Sequence, residues 1–273
     1  MRDRFRAAGM ATPELDAKLL AQKAFGLDAL ALVARGRDPA SADALAVLEA
    51  FATRRLAGEP VARILGEQEF YGLAFGLNAA TLVPRPETEM LVDLGLALLN
   101  GRPGGNLLDL GTGSGCIAIA LLHEAPHARG TAVDLSAEAL AMAVANAQRH
   151  DVESRLDLRQ GSWFDPIAAA ETFDLIVANP PYIESATIAG LQRDVRDFDP
   201  VLALDGGADG LTPYRIIASQ APLHLAPGGL LAVEIGAGQG AAVAALFAAA
   251  GLNGIEIKND LAGLDRVVIA HHS

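Results

Sequence analysis

From residue 106 onward the chain alternates short apolar runs with helix-length stretches, and no other feature of the sequence constrains the fold as much. Strands that are each followed by a helix assemble into a parallel sheet with helices on its faces, so this is an α/β chain. The expected strands cover residues 106–110, 130–133, 156–160, 173–178, 230–235, 254–257 and 266–270, with helices over 116–123 and 137–149. No helix-length insert separates the last two strands, which should therefore pair antiparallel at one edge. The alanine-rich stretch 241–250 predicts a further helix.

Ahead of that alternation the pattern is different. Residues 1–59 predict a small all-α domain. Thr12-Pro13 starts a helix with Leu15, Leu19, Leu20 and Phe25 on one face and Gly26 as its stop. A shorter segment spans 28–36, and Ser41 caps a longer helix with Leu45, Leu48 and Phe51 inward. No chemistry is evident there, so support or substrate docking is the expected role. Residues 60–83 read as a linker built on a β-hairpin, from the aromatics and glycines of 70–77. Residues 84–273 form the expected catalytic domain. It opens on Pro84-Arg85-Pro86-Glu87-Thr88-Glu89, an extended run that places acids in the first turn of a helix over 90–99. The length of 273 residues suits one large and one small domain, and 51% apolar with 20% charged residues describes a folded chain. A formal charge of −12 argues against general affinity for phosphate backbones, so no stable nucleic-acid binding is expected. Cys116 is the one cysteine, which points to a reducing compartment. No apolar run reaches transmembrane length, and the first residues lack a signal-peptide core; a cytoplasmic monomer without membrane contact is expected.

The candidate chemistry lies at strand ends, where open α/β sheets bind ligands. Leu110-Gly111-Thr112-Gly113-Ser114-Gly115 runs from a strand into a helix, and its glycines let a ligand approach the backbone. The spacing is neither a pyrophosphate fingerprint nor a P-loop. Asp134 closes the next strand, about twenty residues on, where an acid accepts ribose hydroxyls of NAD or S-adenosylmethionine. Trp163 follows the strand after that and is placed to flank an adenine. Taken singly, Asp134 reads equally as a helix-start acid and Trp163 as core. At the end of 173–178 stands Asn179-Pro180-Pro181-Tyr182, a stiff extended loop because neither proline continues a sheet or a helix normally. Its amide, carbonyls and flat ring suit a planar nitrogen carrying two hydrogens, either an amide or an exocyclic base amine. His271-His272 has no accompanying ligand cluster, so no metal is expected.

Gly111 to Gly115, Asp134, Ser162-Trp163-Phe164 and Asn179 to Tyr182 together resemble a class I S-adenosylmethionine-dependent methyltransferase. The 84–89 segment, residues 203–211 and Glu234-Ile235-Gly236 with Gln239-Gly240 narrow the likeness to the HemK/PrmC family, over nearly the whole chain. The resemblance implies a Rossmann-like seven-stranded sheet with an antiparallel last pair, preceded by a small helical domain. It also implies methyl transfer from S-adenosyl-L-methionine, leaving S-adenosyl-L-homocysteine, to the N5 amide of the glutamine in the Gly-Gly-Gln motif of class I peptide chain release factors. Gly111, Thr112, Gly113, Ser114, Gly115, Asp134, Trp163 and Asn179 are then the cofactor residues. Asn179, Pro180, Pro181 and Tyr182 hold the glutamine amide, and Arg85 and Glu87 border the peptide. Asn-Pro-Pro-Tyr is shared with DNA adenine methyltransferases, so an N6-adenine nucleic-acid methyltransferase and a ribosomal-protein glutamine methyltransferase remain alternatives.

Overall fold

A computed structural model of the chain describes residues 1–272. The chain opens with α1 (Arg2–Ala7), α2 (Pro13–Phe25), α3 (Ala29–Ala34), α4 (Ala42–Leu56) and α5 (Val61–Leu65), followed by a hairpin of β1 (Glu67–Phe70) and β2 (Leu73–Gly76). Then come α6 (Glu89–Leu99), β3 (Asn106–Leu110), α7 (Cys116–Glu124), β4 (Arg129–Asp134), α8 (Ala137–Arg149), β5 (Leu156–Gln160) and β6 (Phe173–Ala178). The remainder is α9 (Arg193–Arg196), α10 (Thr212–His224), β7 (Leu225–Glu234), α11 (Gly240–Ala249), β8 (Asn253–Asn259) and β9 (Asp265–His271). Contacts divide the chain into two compact units, one of Met1–Glu67 with Gln192–Phe198, the other of Gln68–Leu191 with the chain from Asp199 on. Among the described residues no helix is long and apolar enough to cross a membrane.

The helical unit is organised around Phe5, Leu20, Ala52 and Ile64, all buried. Burying Phe5 and Leu20 contributes roughly 1.5–3 kcal/mol each. Gly26 ends α2 in the left-handed conformation, and the Ser41 hydroxyl accepts the Ala44 amide at the start of α4, both as the sequence suggests. The inward faces differ from expectation. Leu15 is 52% exposed and Leu45 49% exposed, while α2 turns Pro13, Asp16 and Leu20 inward. The cause is polar: Arg55 of α4 donates to Asp16 at 2.7 Å and Thr12 donates to it at 2.8 Å, rotating the helix onto that carboxylate. The short α9 belongs to this unit, with Arg193 lying against Gly58.

The second unit holds a seven-stranded sheet in the order β5-β4-β3-β6-β7-β9-β8. β3 pairs in parallel with β4 and β6, β4 with β5, and β6 with β7, whereas β9 runs antiparallel to both β7 and β8. The expected antiparallel pair is present, with the last strand inserted inside and β8 at the edge. Successive side chains point to opposite faces, as the pleat requires. Leu107, Leu175 and Ala232 join Leu91 of α6 and the apolar α7 on one face. Leu108, Ile176 and Leu231 meet Tyr214 of α10 and Phe247 of α11 on the other. From β3 the chain winds outward to β4 and β5, then returns to β6 and winds the other way. That reversal opens a crevice at the carboxyl ends of β3 and β6.

Candidate active site

Strand register brings the candidate loops together. Leu110 is level with Val133 and with Ala178, Asp134 with Gln160, and Ala178 with Val233. The residues following these partners therefore meet at one edge of the sheet. They surround a cavity of about 380 Å³ whose wall includes Gly111 to Ser114, Asp134, Trp163, Asn179 and Pro181.

Gly111, Gly113 and Gly115 have φ values of 73°, 56° and 83°, a region that L side chains adopt only with strain. Gly111 and Gly113 line the cavity, and a Cβ on either would meet nothing within 4 Å. The turn is tied down from behind: the amides of Gly111 and Thr112 donate to Val133 O, and the Thr112 hydroxyl donates to Asp109 Oδ2 at 2.7 Å. Asp109 is fully buried, and burial raises its pKa to about 7, against the pull of the Thr112 hydroxyl and the Ala118 amide. Asp134 receives the Gly113 amide on one oxygen at 2.8 Å and the Ser136 amide on the other at 2.9 Å. Each oxygen keeps a further lone pair. Burial raises this carboxyl's pKa and the backbone donors oppose the rise. Trp163 stands in the wall with φ 50°, a strained conformation for an aromatic residue. A bare glycine cradle, an acid with free lone pairs and an indole along one cavity suit a ligand that combines a ribose with a flat base, as S-adenosylmethionine does. Cys116, at the start of α7, is buried on the same wall, and burial pushes its thiol up to about 12 rather than down, despite the helix start.

The loop after β6 is clamped on several sides. Gln239 Nε2 donates to Tyr182 O at 3.1 Å while its Oε1 accepts the Gly236 amide. Ile183 and Gly206 exchange backbone bonds with the 204–206 segment and Ile183 respectively, at 3.0 and 2.8 Å. Gly206 comes so close that a Cβ there would stand 2.8 Å from Pro181 O and Tyr182 Cα. Asn179 and Pro181 line the cavity; Pro180 is buried, and the half-buried Tyr182 packs against the core behind them. Burial raises the Tyr182 pKa, and the neighbouring Glu234 adds to the rise. Asn179 Nδ2 donates to Thr88 Oγ1 at 3.2 Å.

Arg85 donates to the buried Asp199 at 3.1 Å, and Glu87 is exposed; neither lies in the cavity wall, whereas Thr88 of the same segment does. Thr88 and Glu234, joined by a 2.6 Å hydrogen bond, fall in segments that carry the family likeness, but the sequence alone gives neither a role at the site. They are 146 positions apart, Thr88 just before α6 and Glu234 at the end of β7, and only the tertiary fold brings them together.

In fold the chain is similar to the methyltransferase from Pyrococcus furiosus, with a TM-score of 0.54 and 18% identity, covering 81% of this chain and 96% of that one. It is similar also to the T. thermophilus 16S rRNA methyltransferase RsmC solved with AdoMet and guanosine, with a TM-score of 0.54 and 16% identity, covering 76% of this chain and 50% of that one. The sheet order and the glycine turn at its switch point define a class I methyltransferase. Residues 1–66 match the PrmC N-terminal domain, and residues 88–195 match the methyltransferase small domain. The chain is 48% identical over 267 residues to the release factor glutamine methyltransferase of Rhodospirillum rubrum, covering 98% of this chain and 81% of the relative. It is 44% identical over 271 residues to that of Agrobacterium fabrum, covering 98% and 93%. The chain belongs to the release factor glutamine methyltransferase family.

Proposed function

We propose that this protein transfers a methyl group from S-adenosyl-L-methionine to the N5 amide of the Gly-Gly-Gln glutamine of class I peptide chain release factors, acting as a cytoplasmic monomer. The observation that carries this reading is the amide of Asn179, a residue of the cavity wall: its nitrogen is engaged by Thr88, while its oxygen accepts no hydrogen bond from the described residues. The names of the relatives support the choice of acceptor.

An amide nitrogen is a poor nucleophile because its lone pair is delocalised into the carbonyl. S-adenosylmethionine, when bound, supplies a methyl group on a positively charged sulfur, which a weak nucleophile can accept. The protein's part is alignment and polarisation. Asn179 Oδ1 takes one N–H of the glutamine amide and the Pro180 carbonyl takes the other, drawing the N–H bonds toward oxygen as positive charge grows on nitrogen. Pro181 borders the amide, with Tyr182 supporting it from behind. Alignment of this kind is worth up to roughly 7–11 kcal/mol of a barrier. No strong base is needed before transfer: as the S–C bond breaks and the N–C bond forms, the nitrogen's proton becomes acidic and passes to water, leaving the neutral thioether and the methylated amide. Gly111 to Ser114, Asp134 and Trp163 hold the cofactor, while Gly115, outside the cavity wall, starts α7 against Ile119 and Ala143. Arg85 and Glu87 lie outside the cavity wall and border the peptide at most.

The test is transfer of labelled methyl from S-adenosylmethionine to a purified class I release factor beside its Gln→Ala variant. Label on the wild-type factor alone is the expected result. Label on an adenine-bearing oligonucleotide instead would transfer the reading to the base amine.

A further inference from the structure

The Thr88 hydroxyl stands between two partners. It donates to Glu234 Oε2 at 2.6 Å, in a fully buried contact, and receives Asn179 Nδ2 at 3.2 Å. A hydroxyl has a single proton. Because that proton goes to a carboxylate, which only accepts, a lone pair of the hydroxyl is what Asn179 meets. The amide must then turn its nitrogen toward Thr88 and its oxygen away from it. An Asn amide rotated by 180° would instead present N–H groups to the acceptor's own N–H groups, and neither could be satisfied. The relay is built by register, since Ala178 pairs with Val233 and so Asn179 and Glu234 follow side by side. Glu234 is itself fixed by its backbone, whose carbonyl accepts the Tyr214 hydroxyl at 2.9 Å.

We propose that Thr88 and Glu234 are positioning residues that set the polarity of the Asn179 amide, so that its oxygen faces the amide to be methylated. The proposal rests on the methyl-transfer reading and names residues beyond the loop that performs it. It carries a pH dependence. Facing Glu234 are Arg85 and Glu87, Cys116 of α7, Tyr182, Tyr214 of α10 and Arg266 of β9. Burial outweighs the Thr88 hydroxyl and the two arginines and raises the Glu234 pKa to about 7. A protonated Glu234 donates as well as accepts, which releases Thr88 to reverse its bond and Asn179 to flip. The oxygen-out orientation is therefore held at pH 8 and loosened at pH 6.

The experiment uses the full chain with Thr88→Val, Thr88→Ser and Glu234→Gln. Its first readout is the side-chain 15N–1H resonance of Asn179, assigned by its loss in Asn179→Ala and measured without release factor. In Thr88→Val the Asn179 amide protons should exchange with water at least about tenfold faster, as expected once an internal partner is lost. Thr88→Ser should restore slow exchange. The wild-type resonance should titrate between pH 6 and 8, and Glu234→Gln should abolish that titration. The second readout is methyl transfer: kcat for Thr88→Val falls about 10²-fold, the order expected from a misplaced contact. KM for the release factor and cofactor affinity stay within about twofold. An Asn179 resonance unaffected by Thr88→Val, or a Thr88→Ser variant as impaired as Thr88→Val, would overturn the relay. If the resonance behaves as stated while the wild type methylates no release factor, the relay stands and the assigned substrate falls.

Discussion

Asn179 has a donor end and an acceptor end, and the fold engages only the donor. Removing the acceptor with Asn179→Ala should lower kcat about 10²–10³-fold, the usual consequence of losing one preorganised partner of a developing charge. Asn179→Asp is the more telling change. It keeps an acceptor oxygen at the cavity but loses the N–H given to Thr88, so two carboxylates compete for one hydroxyl proton. We expect its kcat to fall as far as that of the alanine variant, together with a lower melting temperature. Retention of activity by Asn179→Asp would mean that oxygen alone suffices. At Gly113, with φ 56° and open space ahead of it, alanine costs about 1–2 kcal/mol of backbone strain and places a methyl in the cradle. Calorimetry on Gly113→Ala should show S-adenosylmethionine affinity reduced about tenfold or more; unchanged affinity would place the cofactor elsewhere.

Two strand ends carry carboxyls in the core, Asp109 on β3 and Glu234 on β7, each with its pKa raised to about 7 by burial. In the unfolded chain they would titrate near 3.8 and 4.5. The folded state therefore binds more protons than the unfolded state between about pH 4 and 7, and stability falls as pH rises through that window. Each group contributes up to about 1.4 kcal/mol per pH unit crossed. Melting temperature should be higher near pH 5 than near pH 8, and Asp109→Asn or Glu234→Gln should flatten the profile. A profile in Asp109→Asn as steep as the wild type's would remove Asp109 from this account. The strands themselves were legible, because β3, β4 and β6 are largely apolar runs closed by glycine, acid or Asn-Pro, and β5 alternates leucine with polar residues before Gly161. Helix α10 was not, since Pro222 stands inside it and breaks its pattern. Nor were the inward faces of α2 and α4, where the Asp16–Arg55 pair overrides the leucine stripe. The cofactor loops could be read from local motifs. The pairing of Thr88 with Glu234 could not, as it exists only in the folded chain.

At the scale of the molecule, the helical unit is discontinuous in sequence: it takes Gln192–Phe198 from far along the chain. In that segment Arg193 lies against Gly58, with a side chain at the glycine reaching within 3.4 Å of Arg193 Cδ. A chain truncated to residues 68–273 leaves this segment without the helices it packs on. Trypsin should then cut at Arg193 and Arg196 at least about tenfold faster than in the full chain, where the segment is ordered as part of the helical unit. Equal cleavage would show that 192–198 is ordered without the helical unit. The charge of −12 bears on the whole molecule too: it should weaken nonspecific retention on nucleic acid at physiological salt. Finally, the single thiol, Cys116, is a buried residue of the cavity wall. A disulfide reagent would reach it from the cavity, so the colour released over time becomes a gauge of how full the site is, and a bound cofactor should slow it.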